Sequence, residues 1–404
     1  MTAPQSISGN TSAGQRWSAA LMGNFSTPKI ELVSGSGAVV TDADGKQYLD
    51  LLGGIAVNAL GYAHPAIVAA VSQQIARLGH VSNYFSDPPI LALAERLQTI
   101  SGAGEAGRVL FTNSGTESNE AAFKIARLTG KPRIIATEMS FHGRTMGALA
   151  MTGQPSKREP FEPMPAGVEF VPYGDADALA AAIARDPGSV AAFICEPIQG
   201  EAGVRTPPDG YLAAVRRITS EAGALLILDE VQTGIGRTGA WFAHQRDGIT
   251  PDVMTLAKGL GGGLPMGAVV TFGAASEIFT PGAHGSTFAG NPVCAAAALA
   301  VLDTIENERL LDHVDALGKH ITHAIEDLNH PLVTEVRGRG LLIGVQLTAP
   351  VAAAANSAAA EAGFLTNAAG ADVLRLAPPL ILTESQADSF ISALPAILDS
   401  AAVS

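Results

Sequence analysis

The chain has 404 residues, 47% hydrophobic and 16% charged, and 25 Lys and Arg against 38 Asp and Glu leave a formal charge of −13. That length points to two or three domains with a sizeable core, and the acidity argues against a nucleic-acid partner, which needs clustered cations. Cys195 and Cys294 are too few for a disulfide framework; with no basic-then-apolar leader and no run of about 18 apolar residues, a cytoplasmic protein without a membrane partner is expected.

The first 25 or so residues, rich in Ser, Gly, Gln and Asn, read as an arm. Ile30 to Asp50 is strand-like, with Asp44-Gly45 as a hairpin turn. Helical periodicity follows over Pro65 to Leu78 and Pro89 to Ile100. Short apolar runs then alternate with helical stretches. Strands are predicted at Arg108 to Thr112, Arg133 to Thr137, Val190 to Glu196, Ala224 to Asp229, Val253 to Ala257 and Ala268 to Phe272. Helices are predicted at Thr116 to Leu128 and Gly210 to Gly223. This alternation implies βαβ units and an α/β fold on a mainly parallel sheet, whose chemistry gathers beyond the carboxyl ends of the strands. A long helix pattern from Ala295 to Leu328 opens a different texture. The segment Val333 to Val345, a helix at Ala352 to Ala360, strand-like Val373 to Leu376 and a last helix from Glu384 suggest a smaller α+β domain. The expected division is 1–75 as arm and a segment packing with the small domain, 76–300 as large domain and 301–404 as small α+β domain.

Four local patterns carry chemistry. Ser114-Gly115-Thr116 follows a strand and opens a helix, where free N–H groups form a phosphate cradle; a helix cap explains the same residues. Asp229 ends the apolar run Leu225-Leu-Ile-Leu and needs a cation or several donors as partner. A protonated ring nitrogen is one candidate and a helix N-terminus another. Lys258 ends Val253-Met-Thr-Leu-Ala and precedes glycines. A partly buried amine there is a nucleophile toward carbonyls, and the bland reading is an exposed lysine before a loop. Phe141-His142-Gly143-Arg144 sets a ring for stacking beside an Arg suited to a carboxylate. Each pattern alone is ambiguous; together they supply a phosphate cradle, a pyridinium partner, a stacking face and a Schiff-base lysine.

At this point the sequence resembles the class III aminotransferases of fold type I over nearly its whole length. The matching segments are Asp50-Leu-Leu-Gly-Gly-Ile-Ala-Val-Asn-Ala-Leu-Gly, Asn113-Ser-Gly-Thr-Glu, Phe141-His-Gly-Arg-Thr, Glu196-Pro-Ile-Gln-Gly-Glu201, Leu228-Asp-Glu-Val-Gln-Thr-Gly, Ala257-Lys-Gly and Gly285-Ser-Thr-Phe-Ala-Gly-Asn-Pro. The resemblance implies pyridoxal 5'-phosphate as cofactor, held by Lys258 as a Schiff base. It implies Asp229 at the ring nitrogen, Gln232 at the phenolic oxygen, Phe141 on the ring face, and Ser114, Gly115 and Thr116 at the phosphate. Val231 belongs to the same cofactor set. Thr287 is expected to reach the phosphate from a second subunit, making a homodimer.

Within the family, the chain is most similar to members acting on N2-acetyl-L-ornithine with 2-oxoglutarate as acceptor. Arg144 and Ser286 are then expected at the amino donor. Glu201 and Arg375 are expected to form a switch that hides the cation from one substrate and offers it to the other. Rivals are succinylornithine, ornithine or 4-aminobutyrate as donor, other chemistry on the same fold, or a non-catalytic descendant. Two departures stand out: Ala202 where relatives often have Gly after the switch Glu, and Tyr62 in place of a common His.

Overall fold

The computed structural model describes residues 9–403. Its first strands are β1 (Leu32–Ser36), β2 (Val39–Asp42) and β3 (Gln47–Asp50), joined as an antiparallel meander. Gly45, at φ +87°, makes the turn between β2 and β3. The segment before them is not wholly an arm: Asn10–Ala20 is a helix. It has no buried residues and docks through polar contacts, with the Asn10 amide donating to Asp42 Oδ2 at 3.0 Å. Apolar periodicity, the signal used to read helices, has nothing to detect there.

The central sheet takes β4 (Arg108–Thr112), β5 (Arg133–Thr137), β6 (Val168–Val171), β7 (Val190–Cys195), β8 (Leu225–Asp229), β9 (Val253–Leu256) and β10 (Gly267–Thr271). Their order is β4-β10-β9-β8-β7-β5-β6. Strands β9, β8, β7, β5 and β6 pair in parallel, while β10 runs antiparallel to both its neighbours. The connection from β9 to β10 is a glycine-rich turn, too short for a helical crossover, so the chain must double back. Every residue of β7, β9 and β10 is buried, as expected of strands covered on both faces. The helix Gly115–Leu128 covers part of one face. Its buried Ser118, Ala121, Ala122, Ile125 and Ala126 follow helical spacing.

The long helical pattern after Ala295 resolves into two helices, Pro292–Asn307 and Leu310–Asp327. The chain turns at Arg309, whose φ of +53° is left-handed and cannot continue a helix. Beyond them, β11 (Val333–Arg339), β12 (Leu342–Leu347), β13 (Phe364–Leu365), β14 (Asn367–Ala368) and β15 (Val373–Leu376) complete the strands. A four-stranded sheet has the order β11-β12-β15-β14, but β13 leaves it and pairs in parallel with β3. There Leu49 N–H donates to Gly363 O and Leu51 N–H to Leu365 O, each at 2.9 Å. One apolar cluster runs from Leu49 and Leu60 through Leu256 and Val301 to Leu374 and Leu394, so the N-terminal strands, central sheet and C-terminal sheet share a core. Among the described residues no helix is long and apolar enough to cross a membrane.

Candidate functional site

Five strands of the central sheet deliver residues to one end. Asn113 and Ser114 follow β4, Phe141 follows β5, Glu196 follows β7, Asp229 closes β8 and Lys258 follows β9. All of them line one cavity of about 390 Å³. Strand direction alone therefore gathers segments far apart in sequence at one place.

Asp229 is 3% exposed and well partnered. Its Oδ2 accepts from Asn119 Nδ2 at 2.8 Å and pairs with His142 Nδ1 at 2.7 Å, while among the described residues Oδ1 accepts only the Val231 N–H, at 3.0 Å. Since a carboxylate oxygen has two acceptor positions, one remains on Oδ1. His142 Nε2, on the far side of the ring, is buried without a partner among the described residues. Asn119 is also fixed by Thr255, whose hydroxyl donates to its Oδ1 at 2.8 Å, and it donates to His142 O at 2.7 Å.

The helix after β4 begins at Gly115, capped by Ser114, whose hydroxyl accepts from Glu117 N–H. The cap thus falls on Ser114 rather than Thr116. The N–H groups of Gly115 and Thr116 make no hydrogen bond among the described residues, which leaves them for an anion. Gly115 faces Val231, and an added Cβ would lie 2.7 Å from Val231 Cγ1. The Thr116 hydroxyl is committed elsewhere, accepting the N–H groups of Arg144 and Thr145 at 2.9 and 3.0 Å. It ties the helix to the loop that carries Phe141.

Lys258 has a left-handed φ of +44°, a strained setting for a residue with a side chain and one that occurs at functional sites. Its amine makes no hydrogen bond or ion pair among the described residues. Burial first, and the nearby Arg375 second, pull its pKa down to about 8, against the opposing pull of Glu201, Asp229 and Glu196.

Arg375, on β15, is 1% exposed. Its Nη1 donates to Glu201 Oε2 at 2.9 Å, Gly200 O at 3.0 Å and Gln232 Oε1 at 3.3 Å. Burial raises the Glu201 pKa, but the charge and hydrogen bond of Arg375, with Lys258 and Lys157 beyond, outweigh it and hold the carboxyl below its ordinary range. Gly344 lies opposite Arg375 in the sheet, and a Cβ there would sit 3.0 Å from Gly203 O, so the small residue admits the Glu201 turn. The left-handed positions in that turn are Gly203 at φ +90° and Val204 at φ +53°, so the methyl of Ala202 meets no backbone strain.

Of the remaining expected residues, Arg144 is exposed at the cavity, its guanidinium 5.6 Å from the Phe141 ring centre. Gln232 turns its oxygen to Arg375, and its amide nitrogen makes no hydrogen bond among the described residues. Thr287 and Ser286 do not line this cavity; Thr287 is exposed, and Ser286 accepts from Asn113 Nδ2 at 2.9 Å. Tyr62 is also away from the cavity, donating to Asp50 Oδ2 at 2.7 Å.

Sequence patterns do not single out four neighbours. Asn119 looks like an ordinary helix residue. Glu196, nearly buried, accepts from Phe141 N–H at 2.9 Å and Gly200 N–H at 3.2 Å, and burial raises its pKa. The Lys157 amine sits 4.9 Å from the Phe141 ring centre, and burial lowers its pKa. Asn367 reaches Arg375 Nη2 at 2.8 Å. Glu196 ends an apolar run and opens a matching segment without a role of its own, Lys157 shows only a charge near a motif, and the neutral amides of Asn119 and Asn367 carry neither signal.

The arrangement offers anion-binding N–H groups, a buried carboxylate with one free acceptor position, an unpaired amine of low pKa and a neutralised buried guanidinium. Residues 23–398 match the family described as Aminotransferase class-III. The chain is 62% identical over 387 residues to the acetylornithine aminotransferase of Mycolicibacterium smegmatis, covering 96% of this chain and 98% of that protein. It is 58% identical over 394 residues to the enzyme of that name from Streptomyces coelicolor, covering 97% of each. Among solved structures, the acetylornithine aminotransferase of Elizabethkingia anophelis superposes with a TM-score of 0.84 at 32% identity, covering 96% of this chain and 99% of that one. The ornithine aminotransferase of Toxoplasma gondii gives 0.91 at 31% identity, covering 96% and 93%. The chain belongs to the class III aminotransferase family.

Proposed function

We propose that this protein transfers the δ-amino group of N2-acetyl-L-ornithine to 2-oxoglutarate, giving N-acetyl-L-glutamate 5-semialdehyde and L-glutamate, with pyridoxal 5'-phosphate as cofactor. The observation that carries the reading is the ion pair between half-buried Glu201 and buried Arg375, beside a lysine of low pKa whose amine is unpaired among the described residues. The name shared by the full-length relatives supports the choice of donor.

The residues fit the cofactor. The N–H groups of Gly115 and Thr116, with the Ser114 turn, hold its phosphate. Asp229 would hold its ring nitrogen, and Val231 and Phe141 would flank the ring. Gln232 donates its amide to the phenolic oxygen. When bound, the cofactor supplies an aldehyde that condenses with amines and a ring that takes up electrons. Lys258 then moves the proton at the amino-bearing carbon. Thr287 and Ser286 complete the phosphate and donor sites from a second copy, in a homodimer. The cytoplasm is the expected location, and the division at residues 75 and 300 is the domain arrangement we favour.

Two substrates of different shape use this site in turn. The δ-amino end of acetylornithine is flanked by methylenes, so Glu201 stays on Arg375 and no buried cation is left unpaired. Glutamate brings an α-carboxylate that takes Arg375 from Glu201, while Arg144 holds its distal carboxylate.

Comparing kcat/KM for acetylornithine, ornithine, succinylornithine and 4-aminobutyrate tests the substrate, with acetylornithine expected highest. A higher value for any of the other three donors would overturn the assignment. Arg375→Ala should slow the glutamate half-reaction at least about tenfold more than the acetylornithine one, since it removes a charged carboxylate partner from the former alone. Equal losses would refute the switch.

A further inference from the structure

Arg375 has a second anchor besides Glu201. Strand β15 lies between β12 and β14, and the pairing register sets Asn367 of β14 directly opposite Arg375. Residues opposite each other in a pair project to the same face. Here Asn367 Oδ1 accepts from Arg375 Nη2 at 2.8 Å. The division of labour on the guanidinium is uneven. Glu201, Gly200 and Gln232 all crowd Nη1; among the described residues Asn367 is the one partner of Nη2, and Nε is buried with none.

Two of the Nη1 acceptors, Gly200 O and Glu201 Oε2, come from one turn, and only the second carries a charge. The Gln232 contact is the longest of the set at 3.3 Å. Asn367 belongs to a different element and is fixed independently. Its strand pairs with β15, and the next residue back, Thr366, donates its hydroxyl to Asn356 Oδ1 at 2.8 Å. The amide is also neutral. It orients the guanidinium without cancelling its charge, whereas a carboxylate here would neutralise Arg375 permanently.

We propose that Asn367 is a positioning residue that keeps Arg375 in place and charged while Glu201 is displaced, and so supports the glutamate half-reaction selectively. The inference rests on the exchange of partners at Arg375 described above. It adds a fixed neutral anchor to the moving charged one. In the acetylornithine half-reaction Glu201 stays in place, and the second anchor is redundant.

The test follows the two half-reactions of the holoenzyme separately, by the change in cofactor absorbance on mixing with each amino donor. For Asn367→Ala, the half-saturating concentration of glutamate should rise roughly tenfold, the loss expected for one hydrogen bond to a charged group. The acetylornithine value should stay within about twofold, and the limiting rates should change little. Asn367→Asp preserves shape but adds a counter-charge, so it should impair glutamate more than Asn367→Ala while sparing acetylornithine. In an Arg375→Ala background, Asn367→Ala should add nothing further to the glutamate defect. Losses of equal size with both donors, or unchanged glutamate kinetics in both variants, would overturn the proposal. If the parent enzyme prefers a different ω-amine, the donor assignment fails alone, and the same comparison of that amine with glutamate still judges Asn367.

Discussion

A Cβ on Gly143 would lie 2.2 Å from Thr116 Oγ1, and its φ of +138° suits few residues with side chains. Gly143→Ala should therefore cost about 1–3 kcal/mol, measured by denaturant unfolding, and should loosen the Phe141 loop from the helix it is tied to. Lys258 carries a second consequence at this scale. Because its pKa is lowered, the neutral amine is populated at lower pH than in an ordinary lysine. The rate at which apoprotein Lys258 is trapped by an aldehyde and reductant should climb with pH with a midpoint at about 8, whereas an ordinary lysine has its midpoint near about 10.4. Arg375→Met removes a repelling cation and should move that midpoint up; Glu201→Gln removes an attracting anion and should move it down. Shifts in the opposite senses, read by mass spectrometry of the trapped product, would contradict the electrostatic account. Lys258 and Asp229 were legible in the sequence because each interrupts an apolar strand with a charge. Asn119 was not, because its contact with Asp229 spans 110 positions and nothing local distinguishes it.

At the scale of elements, Ser114 holds both a helix and the N–H cradle beside it. Ser114→Ala should lower stability by about 1 kcal/mol, the usual worth of an N-cap. It should also weaken cofactor retention, measured as the rate of absorbance loss on dilution; stability loss with unchanged retention would confine Ser114 to capping. Six of the seven strands of the central sheet could be read from apolar runs, and their mainly parallel course from the alternation with helices, but not β6 or the reversal of β10. Periodicity is the same for a parallel and an antiparallel strand, and only the short return from β9 shows that β10 must be reversed. The break at Arg309 was hidden for a related reason. Apolar spacing continues from one helix into the next, and the turn is made by backbone angles at a residue type that carries no turn signal.

At the scale of the whole molecule, Tyr84, Phe85 and Phe288 are 90%, 71% and 63% exposed, an unusual display of aromatic surface consistent with the proposed homodimer. Light scattering should give twice the chain mass, and Phe85→Asp should shift the population toward single chains with parallel loss of turnover. A chain-length mass for the unsubstituted protein would remove the proposal. The architecture could be inferred from alternation and motifs, but not the bonds that unite distant segments, since hydrogen bonding across 300 residues leaves no local trace. The pairing of β13 with β3 is such a case, and it offers a built-in reporter. Two amide protons, on Leu49 and Leu51, are shielded from solvent by carbonyls of the C-terminal segment. If that segment peels away as a unit, these two protons, though near the other end of the chain, should exchange with deuterium in step with those of β14 and β15.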